Sequence, residues 1–318
     1  MADRVAEPEL AAQDWTEGPS ALRRRSWLSV LRRTVTEFMD DNVTDWAAAL
    51  TYYSVMSLFP GIIVLTAVLG LLDPSATDSL IQTIEQLGTG PGMDLLINVI
   101  RELQGSRSVA GPLAIIGVAT ALWTASGYIG AFIRASNTIY DTEEGRPIWK
   151  TLPLRVALTA VMVLLIALCV VGVLFTGRFA EAAGEWLGVG SVGVLIWDIV
   201  KWPVLAVLVS LGIALLYWAA PNAQQPGFRW LSPGSTLAVL LWIAASAGFT
   251  VYLANFGSYN KVYGSLAGAI ALLVWLWLGN VAVLLGAEFD AELARGRRIE
   301  QGQPPEHEPV LPPRDAPE

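Results

Sequence analysis

The chain has 318 residues, of which 54% are hydrophobic and only 15% charged, with a formal net charge of −8. An ordinary soluble protein carries roughly a quarter charged residues, so a soluble body of this length is excluded. Seventeen of the 28 acids and ten of the 20 bases lie in residues 1–45 and 288–318, which leaves the middle almost bare. One cysteine, Cys169, excludes an internal disulfide, and no glycine period supports a fibrous chain.

The first polar segment, residues 20–41, places Leu28, Leu31, Val35 and Phe38 at helical spacing among Arg23, Arg24, Arg25, Arg32 and Arg33. This pattern reads either as an amphipathic helix on a membrane surface or as a helix packed on the end of a bundle. Uncharged runs follow at 46–72, 108–133, 156–177, 202–228, 230–260 and 262–287. About 20 apolar residues cross the hydrocarbon core as a helix, and continuous rather than alternating apolarity excludes a barrel. The expectation is therefore an all-α, polytopic membrane protein with six transmembrane helices and amphipathic interfacial helices. The spans fall at about 46–72, 108–133, 156–177, 202–220, 233–255 and 263–287 within a membrane domain of residues 20–292.

Pro60 falls midway through the first span, where proline kinks or locally breaks a helix. Ser232-Pro233 reads as a cap followed by proline at the first helical position, and Lys201-Trp202-Pro203 reads similarly as the opening of span four. Between spans one and two, residues 78–104 hold two short amphipathic patterns around Gly88-Thr89-Gly90-Pro91-Gly92, which reads as a helical hairpin. The tails 1–19 and 293–318 read as disordered, the second being rich in proline and acid beyond residue 301.

Basic residues set orientation. With the amino terminus inside, the inner segments carry fifteen Lys and Arg and the outer segments five. Both termini are expected in the cytoplasm of a bacterial cell, with the chain in the cytoplasmic membrane. The first apolar run begins after 45 residues and is 27 long, too late and too long for a cleavable signal.

Catalytic chemistry finds no constellation. The single histidine, His307, lies in the Pro- and Glu-rich tail, so neither a His-based metal site nor a Ser-His-Asp set can be assembled. Cys169 lies inside span three and reads as an inert buried thiol. No patch interleaves bases with aromatics, so no nucleic-acid partner is expected. Catalytic, cofactor and metal residues are accordingly expected to be absent, and membrane lipids are the expected surroundings.

Polar groups within the spans are more informative. Thr51, Tyr52, Tyr53 and Ser54 cluster in span one, Trp123, Thr124 and Ser126 in span two, and Asn280 in span six. An amide in hydrocarbon needs a partner, so Asn280 either holds helices together or faces a path. Glu288 ends span six, eight residues or about 12 Å of rise beyond Asn280 and within roughly 80° of it around the helix. It either snorkels to water or lines that path. Tyr52, Tyr53, Ser54, Trp123, Ser126, Asn280 and Glu288 are the candidate cavity residues. Gly264 and Gly268 form a small-xxx-small pair expected to mark close helix contact, with Pro60 as a second packing position. Asp198 and Lys201 can pair on one helical face.

The order of these pieces resembles the YihY family of bacterial inner-membrane proteins, also called the virulence factor BrkB family. The matching text runs from Ala47 to Ser54 and through Ser57-Leu58-Phe59-Pro60, then Leu122 to Ser126, Asn137 to Tyr140, and Leu216-Tyr217-Trp218 with Pro221-Asn222. It continues with Pro233-Gly234, Phe256, Tyr263 to Gly268, Trp275, Asn280 and Gly286-Ala287-Glu288. The resemblance spans about residues 25–292 and implies a six-helix membrane protein. Members have carried a ribonuclease label, a virulence label and a suggested role in moving envelope lipids. RNA hydrolysis needs clustered carboxylates with metal, or a paired acid and base, and the residues here supply neither. The expectation is a transport-like membrane protein for a lipid or another amphipathic molecule, with a non-transporting scaffold as the alternative.

Overall fold

The computed structural model describes residues 24–72, 78, 81–82, 97–98, 101, 110–174, 190–225, 227–228, 230–255, 266–304 and 308–316, with side chains from residue 27 onward. Tail 1–19, most of the 78–104 hairpin, Gly264, His307 and the side chains of Pro60 and Asp198 lie outside the described residues.

The fold is all-α. Among the described residues seven helices follow in chain order: α1 (Arg24–Asp40), α2 (Val43–Leu72), α3 (Ala110–Ile139), α4 (Ile148–Leu174), α5 (Gly190–Ala219), α6 (Pro233–Asn255) and α7 (Leu266–Glu300). Among the described residues four stretches are long and apolar enough to cross a membrane: Ile148–Val173, Ile199–Ala219, Pro233–Leu253 and Gly268–Glu300. Helices α2 and α3 are 30 residues each, with many distal side chains outside the described set, so six spans is a reading of the sequence. Exposed Leu164, Leu168, Val207, Leu240, Val251 and Leu273 stud the outside of the bundle, a surface suited to lipid and costly in water.

Helix α2 packs against α3 and α7, α6 against α7 and α5, and α4 between α3 and α5. The end that carries α1 and residues 308–316 is called proximal below. Two left-handed residues shape it. Asn42 (φ 51°) turns α1 into α2, with its side-chain amide donating to the Asp40 carbonyl at 3.1 Å. Asp141 (φ 51°) closes α3: the Thr142 amide donates to the Asn137 carbonyl and the Asp141 amide to that of Thr138, which satisfies two orphan carbonyls.

The cap expected at Ser232 is present. The Ser235 amide donates to Ser232 Oγ at 2.9 Å, the Ser232 amide donates to Ser235 Oγ at 3.0 Å, and Pro233 is the first helical residue. The carboxylate of Asp290 adds a charge-assisted cap by accepting from the Gly234 amide at 2.7 Å. The prolines of spans one and four do not break or open their helices. Helix α2 continues through Pro60, and α5 runs unbroken from Gly190 with Pro203 inside it. Proline removes one backbone donor, and neighbouring helices in a bundle hold the rest of the ladder.

Helix α1 packs on the end of the bundle, as the second of its two sequence readings has it. Val30 is fully buried against Phe289 and Leu293, and Trp27 meets Phe289 with ring centroids 6.2 Å apart. The opposite stripe, Leu28, Leu31, Val35 and Met39, is exposed and continuous along the helix. Such a stripe beside the arginines suits a helix lying in a membrane interface.

The carboxyl-terminal segment differs from the expected disorder. Residues 293–300 continue α7, and 308–316 lie across the proximal face with Val310 and Leu311 each 1% exposed. The Val310 amide donates to the Tyr140 carbonyl, the Gln224 amide to the Pro312 carbonyl and the Arg314 amide to the Asn222 carbonyl. Arg314 lies over the Trp218 ring at 5.5 Å, and Lys150 Nζ pairs with Asp315 at 2.7 Å. Composition favours an open chain here, but backbone partners supplied by distant loops win.

Candidate functional site: a cavity in the middle of the bundle

Six helices line a partly open cavity of about 540 Å³. Its wall is apolar over most of its area, from Ile129, Met162, Ile166, Ile213, Val239 and Val283 among others. Hydroxyls from Ser54, Ser57, Tyr128 and Thr159, with the amide of Asn280, supply the polar spots. Trp242 and Trp275 form one side, with ring centroids 6.1 Å apart, and Trp275 Nε1 donates to Ser246 Oγ at 3.0 Å.

Asn280 ties three helices together at the edge of this space. Its Nδ2 donates to Thr51 Oγ1 of α2 at 3.1 Å, and its Oδ1 accepts from the Tyr128 hydroxyl of α3 at 3.0 Å. Thr51 passes its own proton to the Ala47 carbonyl at 2.7 Å, so it accepts from the amide and donates to backbone simultaneously. Ser54 and Ser57 likewise donate to the carbonyls of Leu50 and Tyr53. Their hydroxyl oxygens keep acceptor capacity toward the cavity.

Of the seven candidate residues, the cavity brings together Ser54 and Asn280. Tyr52 and Trp123 are about 60% exposed on the outside of the bundle, so neither faces the cavity. Tyr53 packs in the core beside Gly127, where a methyl group would meet its ring at 3.1 Å. Ser126 is buried and donates to the Trp123 carbonyl, while its own carbonyl accepts from the Arg155 guanidinium at 3.2 and 3.3 Å. Glu288 is 1% exposed, so it neither snorkels nor lines the cavity. Tyr128 escaped the sequence reading, although a tyrosine inside an apolar span needs a partner for its hydroxyl and that need is a usable signal.

Close helix contact also falls elsewhere than expected. A methyl group at Gly268 would meet nothing within 4 Å. At Gly286 it would meet the Gly234 carbonyl and the Tyr217 hydroxyl, both at 2.5 Å, and Ala238 Cβ at 2.8 Å. Gly234 and Gly286 are thus the residues that let α6 and α7 cross at backbone distance. Tyr217 exploits the crossing, donating its hydroxyl to the Val283 carbonyl.

A second, smaller cleft of about 70 Å³ opens at the proximal end, lined by Tyr140, Tyr217, Trp218, Gln225, Asp290 and Arg297 among others. Around it the loops are fixed by polar contacts. Asn222 is fully buried: its backbone amide donates to Asn137 Oδ1 at 2.7 Å, and its side-chain amide donates to the carbonyls of Glu143 and Asp315. Arg146 grips Glu144 in a fork at 2.6 and 2.7 Å and donates to the Ala220 carbonyl at 2.8 Å. Among the described residues no group of three or more His, Cys, Asp or Glu could hold a metal ion.

Long apolar helices around a central cavity, capped by polar loops at one end, define a polytopic α-helical membrane protein. Residues 34–310 match the virulence factor BrkB family, and the chain belongs to that family. A ribonuclease-like protein YfkH of Bacillus subtilis is 29% identical over 258 residues, which cover 81% of this chain and 92% of that one. A UPF0761 membrane protein of Xanthomonas oryzae is 30% identical over 272 residues, covering 82% of this chain but 59% of the longer relative. Another, from Tolumonas auensis, is 48% identical over 92 residues, covering 28% and 30% of the two chains. No solved structure matches.

Proposed function

We propose that this protein binds an amphipathic, lipid-like molecule in its central cavity and moves it within the cell envelope, with the proximal end and both termini in the cytoplasm. The observation that carries this reading is the cavity of about 540 Å³. That volume falls within the roughly 300–1,000 Å³ of small-molecule sites. A solid bundle serving only as a scaffold has no use for such a space in its middle. Apolar walls suit a hydrocarbon portion, and the few hydroxyls with Asn280 suit a small polar part. The fifteen-to-five distribution of basic residues supports the orientation. A non-enzymatic role is supported by the membrane-protein names of the UPF0761 relatives.

The test is reconstitution. The purified chain should carry co-purifying lipid detectable by mass spectrometry and should move a fluorescent phospholipid across proteoliposome bilayers. Ala125→Trp, which puts a large ring into the cavity wall, should lose both while keeping a cooperative melt. A wild-type protein that holds no amphipathic molecule and moves none would sink this reading in favour of a scaffold.

A further inference from the structure

Below the cavity, α7 presents two buried carboxylates one turn apart. Glu288 and Glu292 are each 1% exposed. Their surroundings differ. Glu292 receives Arg33 Nε from α1 at 2.5 Å and lies 2.8 Å from Arg295 Nε. Glu288 has no ion pair among the described residues, and its Oε2 is buried without a hydrogen-bond partner. A buried carboxylate without a cation is costly to ionise, so such a group holds a proton or binds an ion.

The groups around it show why no cation is to spare. Five carboxylates converge on this corner: Glu37 of α1, Asp41 of the α1–α2 turn, Asp141 after α3, and Glu288 and Glu292 of α7. Two guanidiniums answer them, Arg33 and Arg295. Arg33 is committed to Glu292, and Arg295 divides itself between Glu292 and Asp141, the latter at 2.8 Å. Asp40, Glu308 and the phenol of Tyr140 border the same corner, and Asp290 and Arg297, of opposite sign, both act on that phenol. Among the charged neighbours of Glu288, Asp41 acts on it most strongly, ahead of Glu292 and Glu37, and Arg295 opposes them. The carboxylates do not form a group that could hold a metal ion, which leaves the proton as the ligand.

We propose that Glu288 and Asp41 form a proton-binding site at the proximal end of the bundle, whose charge state sets how tightly the α1–α2 corner packs on α7. Asp41 is only partly buried, whereas Glu288 is sealed from solvent. Burial, with Asp141 and Glu37 beside it, moves the Asp41 carboxyl up to about 7, so this outer group exchanges protons near neutrality. With Glu288 protonated the corner closes as observed, with Val30 sealed against Phe289 and Leu293. Loss of its proton places a further negative charge among Asp41, Glu37 and Glu292 and pushes α1 and α2 away from α7. The inference is independent of what occupies the central cavity.

The test uses the full chain in lipid nanodiscs. Infrared spectra of the wild type at neutral pH should contain the carbonyl stretch of a buried protonated carboxyl group, slow to shift in heavy water, and Glu288→Gln should remove it. In a Cys169→Ser background, the labelling rate of a single Val30→Cys thiol, divided at each pH by that of the same thiol in the denatured chain to remove the thiol's own ionisation, should rise several-fold from about pH 6 to about 9. Adding Glu288→Gln, a neutral isostere of the protonated acid, should hold this ratio low throughout. Absence of that stretch from the wild type overturns the proposal without any variant. So does its persistence in Glu288→Gln, or an unchanged pH profile of labelling in that variant.

Discussion

Phe132 lies parallel to Tyr217, with ring centroids 6.4 Å apart and planes 3° apart. On its other side Phe132 stacks on Tyr128 at 6.5 Å. Tyr128 lines the central cavity, Tyr217 lines the proximal cleft, and Phe132 is fully buried between them. Three rings from two helices therefore link the wall of one space to the wall of the other. Replacing Phe132 with alanine should cost about 3–5 kcal/mol of stability and join the spaces. Hydroxyl-radical labelling, read by mass spectrometry, should then modify Tyr128, which lines the central cavity, more strongly in Phe132→Ala than in the wild type. Equal labelling in both would show that the stack is not the barrier.

The glycines give a paired prediction. Gly286→Ala forces a methyl group onto the Gly234 carbonyl and the Tyr217 hydroxyl, where backbone must move. Overpacking of this kind costs about 1–3 kcal/mol, and more where both neighbours are rigid. Gly268→Ala meets open space and should be neutral or stabilising by up to about 1 kcal/mol through helix propensity. Melting temperatures in one detergent decide between this pattern and the reverse one that the Gly264–Gly268 spacing implies.

The spans were legible because charge exclusion is a one-dimensional property: a run such as 156–177 contains its own evidence. The cap at Ser232 was legible for the same reason, since all its atoms lie within four residues. What failed depended on neighbours. Tyr52 and Tyr53 are adjacent, and consecutive helical residues diverge by about 100°, so one packs inward while the other faces out. The sequence does not say which. Asn280 reaches α2 and α3, whereas Glu288 lies past Gly286, where α7 crosses α6, and is buried apart from the cavity. The segment 308–316 reads as open chain because its partners, the Tyr140 carbonyl and the Asn222 and Gln224 backbone, lie far from it in sequence.

Asn222 is the clasp for that segment. Its side chain donates to the Glu143 and Asp315 carbonyls at 2.9 and 2.8 Å and accepts from the Asp315 amide at 3.1 Å. Asn222→Ala leaves those groups unpaired at a buried site, which costs about 1–3 kcal/mol. The expected result is a lower melting temperature together with faster proteolysis after residue 303 than in the wild type. Lys150→Ala, which removes an exposed ion pair with Asp315, should change either measure little, by about 0–1 kcal/mol. Resistance of the 304–318 segment to protease in Asn222→Ala would show that the buried Val310 and Leu311 hold it unaided.

The last prediction concerns Asp41 and the sign of a pH effect. Its carboxyl is raised from 3.8 to about 7 in the folded chain, first by burial and then by repulsion from Asp141 and Glu37. Below about pH 4 both the folded and unfolded chains are protonated at this position, and no penalty applies. As pH rises toward 7 the unfolded chain releases the proton and the folded chain retains it, so stability falls across that window. Above about pH 7 the folded chain carries the charge and the penalty is constant. Asp41→Asn removes the titration, so the variant should match the wild type near pH 4 and exceed it at pH 8. Because the group is partly solvated, the gain should be on the order of 1–2 kcal/mol rather than the full value of the shift. Melting of both proteins in one detergent from about pH 4 to pH 8 measures it. A wild type that gains stability relative to Asp41→Asn as pH rises would mean that Asp41 is held ionised by Arg295, and would reverse the sign of the argument.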